Sequence, residues 1–266
     1  MEPDRSANCR LEPGHFGIHS MTHRSQLATL QAAILADAAD APTPSARVLD
    51  LGCGNGDVVQ QWLDLGFDAY GCDLKFKRGP LVDRLEESGR IKLIEQDPYR
   101  LPCPDASFDI LVTQQVLEHV RNYPTTLAET RRILKRGGWA LHMFPARLTP
   151  IEPHTQVPGA TVLRWPLWLK TWAWLGIRSA SQTGMTWQQV AQRNQKYLCT
   201  STNYLTGPEL RRQFANHFDE VHFVEMSFLK HSPNIRGRML AQLGRMAPPL
   251  IGLYRTFWAR IILVRA

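Results

Sequence analysis

A chain of 266 residues, 44% of them hydrophobic, is long enough to bury a full core, as one large domain or as one domain carrying an insertion. Its five cysteines, Cys9, Cys53, Cys72, Cys103 and Cys199, are odd in number and scattered without a C-x-x-C pair. That argues against a disulfide framework or a zinc ribbon and for reduced thiols in a cytoplasmic protein. The formal net charge of +7 leaves nucleic acids and anionic membranes open as partners, but no apolar run reaches the roughly 18 residues of a spanning helix.

Residues 1 to 19 hold Pro, Gly and His and read as a loose arm. Met1-Glu2-Pro3-Asp4-Arg5 is polar with no apolar stretch behind it, so no secretory signal is expected. Between Met21 and Ala39, Leu27, Leu30, Ile34 and Leu35 recur at helical spacing. The prolines of Asp40-Ala41-Pro42-Thr43-Pro44-Ser45 end that helix, because each disfavours helix in the residue before it. Val48 to Leu51 reads as a buried strand. Gly52, Gly54 and Gly56 follow, then a helix from Val58 to Leu65 that stops at Gly66. Taken alone, such glycines fit a tight turn as well as a place where bare backbone and a helix N-terminus meet a ligand. A nicotinamide fingerprint would need a third glycine at position 57, where Asp57 stands.

Phe67 to Asp73 reads as a second strand ending in an acid, close to the spacing at which a carboxylate grips ribose hydroxyls. Ile91 to Asp97 is the predicted third strand, again ending in an acid, and the fourth strand ends at Thr113. A helix is predicted from Pro124 to Lys135, closed by Arg136-Gly137-Gly138, and a fifth strand from Trp139 to Phe144. This alternation implies a parallel sheet with helices on both faces. From Pro145 to about Thr206 it breaks, at the sheet edge where open α/β folds bind ligands. The break contains a helix-like segment from Gln188 to Lys196. Beyond it come a helix from Thr206 to about His217, a sixth strand from Phe218 to Phe228 and a seventh from about Arg255 to Val264.

The run D-x-G-x-G-x-G from Asp50 to Gly56 closely resembles the first motif of the class I S-adenosylmethionine-dependent methyltransferases. D-x-x-x-L-P-x-P-D-x-S-F-D from Asp97 to Asp109, then V-L-E-H-V ending at Val120, is similar to the methyltransferase type 11 branch. The resemblance implies a Rossmann-like, doubly wound seven-stranded mixed sheet of order 3-2-1-4-5-7-6, its seventh strand antiparallel. It also implies S-adenosyl-L-methionine as cofactor. Residues 1–45 are then an N-terminal arm and a helix that either covers the cofactor or serves the core. Residues 46–266 are the methyltransferase domain, with 145–206 an insertion shaping the acceptor site. By the same resemblance, Asp50, Gly52, Gly54 and Gly56 line the methionine end and Asp73 binds the ribose. Asp97 accepts from the adenine amino group with Pro98 beside the ring, and Gln114 offers backbone near the methionine.

Methyl transfer from a sulfonium begins with a charged leaving group, and aligning the nucleophile supplies much of the rate. A general base matters most for an alcohol acceptor. His119, after the fourth strand, and His154, beside Glu152 in the insertion, are the candidates, and each reads equally as a packing or turn residue. The histidines show no ligand spacing such as H-x-x-x-H with an acid, so no metal site is expected. The acceptor is read as a small or lipid-like molecule, methylated on oxygen or carbon. A nucleic-acid methyltransferase and a catalytically inactive cofactor-binding subunit remain as alternatives. No N-P-P-Y or D-P-P-Y tetrapeptide is present, which counts against nucleic acid. After Glu225 there is no acid, while Lys230, Arg236, Arg238, Arg245, Arg255, Arg260 and Arg265 are basic. Upstream, Trp165, Trp168, Trp172 and Trp174 stand among Arg164, Lys170 and Arg178. Tryptophan beside basic residues suits a bilayer interface, or else a packed pocket rimmed by solvated arginines.

Overall fold

The computed structural model describes residues 26–266. The predicted arm and the predicted start of the first helix at Met21 lie outside the described residues. The strands in chain order are β1 (Arg47–Leu51), β2 (Asp68–Asp73), β3 (Ile91–Leu93), β4 (Glu95–Gln96), β5 (Tyr99–Arg100), β6 (Phe108–Gln114), β7 (Leu134–Pro145), β8 (Glu220–Phe223) and β9 (Ala259–Arg265). Seven form one sheet in the order β3-β2-β1-β6-β7-β9-β8, with β4 and β5 a separate hairpin. With the hairpin set aside, this is the expected 3-2-1-4-5-7-6. β3, β2, β1, β6 and β7 run parallel, and β9 pairs antiparallel with both β7 and β8.

Alternation along the strands feeds two cores. Val48, Ile110, Val112, Leu141, Met143, Ile261 and Leu263 are buried on one face. Leu49, Leu51, Leu111, Ala140, Phe144, Ile262 and Val264 are buried on the other. Both faces being covered is why these strands read as nearly continuous apolar runs.

Helix α1 (Leu27–Ala39) buries Leu27, Leu30, Ile34 and Leu35 on the first face. Its Gln31 accepts from the Trp62 indole at 3.0 Å, and its Ala28 N–H donates to Gln61 at 3.1 Å, fixing it to α2 (Asp57–Asp64). α3 (Pro80–Glu87) joins β2 to β3. α4 (Tyr123–Ile133) is capped by Asn122, whose side chain accepts from Thr125 N–H.

Three predicted boundaries are corrected. The third strand stops at Leu93, because β3 is an edge strand with nothing beyond it to pair, and Glu95 and Gln96 turn to pair with Arg100 and Tyr99. Asp97 and Pro98 therefore form the exposed tip of the hairpin. The predicted sixth strand splits into β8 and a helix. A short apolar run fits either period, but burial at Val224, Phe228 and Leu229 has helical spacing. The seventh strand begins at Ala259, since Arg255 still belongs to a helix.

Residues 145–206 contain α5 (Pro166–Trp174) and α6 (Trp187–Thr200), joined by a small core of Val157, Ala160, Leu169 and Leu198. α7 (Gly207–Ala215) starts where expected and opens on a capping box between Thr206 and Glu209. α8 (Glu225–His231), α9 (Ile235–Met246) and α10 (Pro249–Phe257) complete the first face, and α9 and α10 have no counterpart among the predicted elements.

Candidate active site

β1 ends in Asp50-Leu51, and the next residues fold back onto the end of β2. The N–H groups of Gly52 and Cys53 both donate to the Cys72 carbonyl, at 2.7 and 3.2 Å. All three glycines have positive φ: 86° at Gly52, 54° at Gly54 and 80° at Gly56. At Gly52 a Cβ would overlap Val116, and at Gly56 it would stand 2.6 Å from Leu85. Glycine is therefore required at these two positions by backbone angle and by space. At Gly54 the Cβ direction is open, with the Lys77 side chain first met at 3.8 Å.

Asp73, at the end of β2, accepts from Gly54 N–H at 2.7 Å and Lys75 N–H at 3.2 Å. It shapes the glycine turn and keeps lone pairs free for hydroxyls. Asp50 is only 3% exposed, and its carboxyl has no hydrogen-bond partner among the described residues. Burial, with the neighbouring Asp73 charge adding to it, pushes the Asp50 carboxyl up to about 8. Past β6, Gln115 has φ 56°, and the side-chain atoms Gln114 Oε1 and Gln115 Nε2 are buried without partners among the described residues. The glycine turn, Asp50, Asp73 and Gln114 thus meet at the carboxyl edge of the sheet. No hydrogen bond ties the exposed Asp97 or Pro98 to this group among the described residues.

A second group adjoins the first. A single 3-10 turn, Leu117–His119, follows β6. His119 Nδ1 lies 2.6 Å from the Ser201 carbonyl, so Nδ1 carries the proton. The loop after β7 brings in Glu152, which is fully buried and accepts five hydrogen bonds. They come from His154 N–H (3.0 Å), His154 Nδ1 (2.9 Å), Thr155 N–H (2.7 Å), Thr155 Oγ1 (2.8 Å) and the Tyr204 hydroxyl (2.8 Å). Burial alone would raise the Glu152 carboxyl, but these partners outweigh it and hold it below its usual range. Burial disfavours a charged His154, yet its bond to Glu152 more than compensates, so this imidazole is raised. His119 is lowered by burial despite the Ser201 carbonyl. The rings of His119 and His154 stand 5.0 Å apart, and Tyr197 lies 5.4 Å from His154. Glu118 is buried beside them. The Lys77 side chain, which stands over Gly54, adds a small repulsion to a charged His154.

Both sequence candidates, His119 and His154, fall in this cluster. Glu118 and Tyr204 were missed. Glu118 lies inside the V-L-E-H-V run and is an acid among apolar residues, a signal of burial. Tyr204 stands 52 residues from Glu152, and nothing local marks it.

A doubly wound sheet with a glycine turn and two acids at its carboxyl edge defines a Rossmann-like cofactor-binding domain. Residues 49–142 match the family described as methyltransferase domain. The ubiquinone biosynthesis O-methyltransferase of Thiobacillus denitrificans is 32% identical over 103 residues, covering 37% of this chain and 44% of that protein. A probable S-adenosylmethionine-dependent methyltransferase of Mycobacterium tuberculosis is 30% identical over 139 residues, 46% of this chain and 47% of that one. The chain spans less than half the length of these curated relatives. An S-adenosylmethionine-dependent methyltransferase of Mesorhizobium loti, known from a crystal structure, shares the fold. Its TM-score is 0.51 at 15% identity, over 91% of this chain and 98% of that one. Over residues 49–142 this chain is thus similar to the type 11 branch of the class I S-adenosylmethionine-dependent methyltransferases.

Proposed function

We propose that this chain transfers a methyl group from S-adenosylmethionine to an oxygen of a small or lipid-like acceptor. Asp50 carries the reading. It is a buried carboxyl without a hydrogen-bond partner among the described residues, set beside a glycine turn and a second carboxylate. A ligand that brings an ammonium to Asp50 and vicinal hydroxyls to Asp73 answers both groups. Gln114 Oε1 and Gln115 Nε2, buried and unpartnered among the described residues, offer it further polar contacts. When bound, the cofactor supplies a methyl group activated by the sulfonium charge. The chain supplies alignment, which contributes up to about 7–11 kcal/mol in favourable systems.

The ubiquinone O-methyltransferase relative supports an oxygen acceptor. So does the Glu118, His119 and His154 cluster, which can promote loss of the hydroxyl proton. The insertion over 145–206 supplies His154, Tyr197 and Tyr204 to that cluster, which supports its role in choosing the acceptor.

A lipid-like acceptor reached at a membrane surface is supported by Trp165, Leu167 and Trp174, which are 70%, 77% and 69% exposed on and beside α5. Apolar contact carries this association more than charge does. Lys230 pairs with Asp37, Arg255 with Glu225 and Arg265 with Glu220, while Arg238 donates to the Ser232 and Pro233 carbonyls and Arg260 is buried. The same ties do not support a nucleic-acid face. No helix among the described residues is long and apolar enough to cross a membrane.

Calorimetry tests the cofactor assignment. Wild type should bind S-adenosylmethionine and its demethylated product. Gly54→Val should lose both while staying folded, because a branched side chain then stands over the turn at a positive φ. Asp73→Ala should weaken binding by about 1–3 kcal/mol, the range for a hydrogen bond to a charged group. Undiminished affinity in both folded variants would sink the assignment.

A further inference from the structure

Neither carboxyl oxygen of Glu118 has a hydrogen-bond partner among the described residues, and the residue is 1% exposed. Buried polar atoms are nearly always paired, and an orphaned carboxyl is costly. It faces two imidazoles whose Nδ1 atoms are already committed, His119 to the Ser201 carbonyl and His154 to the Glu152 carboxylate. Among the described residues, neither ring's Nε2 has a hydrogen-bond partner. One donor atom from each of Glu118, His119 and His154 lies within 4.8 Å of the others. A point therefore exists within about 2.8 Å of all three, and closing to metal–ligand bonds of about 2.0–2.2 Å moves each side chain by less than about 1 Å.

The surroundings match what metal-bound histidines need. A ligating imidazole donates its other N–H to a carbonyl or a carboxylate, which fixes its tautomer and orientation. Ser201 and Glu152 do this here, and Glu152 is itself held by Thr155 and Tyr204. The two halves come from distant parts of the chain, the turn after β6 and the loop after β7, so no sequence spacing announces them.

We propose that Glu118, His119 and His154 bind a divalent transition-metal ion of the zinc class, with its remaining positions open to the acceptor. Two imidazoles and one carboxylate suit zinc, cobalt, manganese or ferrous iron better than magnesium or calcium, which prefer all-oxygen sites. Binding of the ion stands independently of the methyl-transfer reading, whereas its role rests on that reading. In that role the acceptor hydroxyl oxygen binds the ion and its proton passes to water. The oxygen then bonds to the methyl carbon as the carbon–sulfur bond breaks, and that electron pair stays on sulfur, leaving a neutral thioether.

The test uses the full chain without a histidine tag, stripped by chelator and titrated with zinc or cobalt ions. Cofactor affinity is measured on the same samples. Wild type should bind one ion per chain, and cobalt should develop visible absorption. Glu118→Gln and His119→Ala should each weaken binding at least about 100-fold with cofactor affinity retained. Glu152→Gln, which removes only the supporting carboxylate, should weaken it about 10–100-fold. Failure of wild type to bind a single ion overturns the proposal, as does affinity unchanged in Glu118→Gln. Loss of cofactor binding by wild type would count against the methyl-transfer reading alone. Ion binding with turnover indifferent to chelator would remove the catalytic role.

Discussion

Replacing Asp50 with asparagine should make the ligand-free protein more stable while weakening the cofactor. The folded carboxyl sits at about 8 because it is buried beside Asp73, whereas in the unfolded chain it ionises near 3.9. Between those values the folded state holds a proton that the unfolded state has released. Stability therefore falls as pH rises from about 4 to about 8, and levels off above. At pH 7 the accumulated cost is about 4 kcal/mol, growing by about 1.4 kcal/mol per pH unit through the window. Asparagine has no such dependence, but as a buried amide without partners it costs about 1–3 kcal/mol. The variant should thus be about 1–3 kcal/mol more stable at pH 7, a rise in Tm of about 2–4 °C for each kcal/mol. At pH 5 the advantage should vanish or reverse. Thermal melts of both proteins from pH 5 to pH 8 measure this, and calorimetry should show cofactor affinity down about 10–150-fold from the lost charge-assisted hydrogen bond. A Tm difference that stays flat across the range would mean that Asp50 is already ionised without ligand, and would refute the reasoning.

His154→Ala should lower turnover on a hydroxyl acceptor about 10²–10⁴-fold while leaving cofactor affinity in place, which single-turnover assays with a found acceptor would check. Because Glu152 raises the His154 imidazole, their pairing stabilises the fold below the ordinary histidine value near 6.5 and is lost as pH rises through the higher folded value. Melts of wild type against His154→Ala should therefore converge toward alkaline pH, and a gap that widens there would contradict the pairing. Trp165→Ser with Trp174→Ser should abolish flotation with anionic liposomes, and flotation should persist in high salt, since apolar contact carries it. Wild type remaining in the soluble fraction at every salt concentration would dismiss the membrane association.

Much of the scaffold was readable along the chain because its causes are local. The period-two apolar runs, the glycine turn after β1 and the helix start at Thr206 each depend on neighbours a few residues away. The parallel direction of the first five sheet strands follows from strand–helix alternation, whereas their order was implied only by the resemblance. The residues that the resemblance assigns to the cofactor, Asp50, Gly52, Gly54, Gly56 and Asp73, stand together for the same reason, since they belong to one strand–turn–helix–strand unit. Where a short apolar run suited two periods, as from Phe218 to Phe228, local pattern failed, and burial against Tyr254 and the sheet selected the helix α8. The extent of β3 likewise depended on its being an edge strand, a fact about neighbours in space.

The second cluster was beyond the reach of local pattern. His119 and His154 were visible as single residues, but their meeting at 5.0 Å, the five hydrogen bonds to Glu152 and the isolation of Glu118 arise only when the turn after β6, the loop after β7 and the strap through Ser201 and Tyr204 converge. Sequence alone determined which chemical groups stand at the carboxyl edge of each strand, because strand and turn propensities act over a few residues. Tertiary structure alone decided which groups lose their water together and so acquire shifted proton affinities, because desolvation depends on everything packed around a side chain, however distant in the chain.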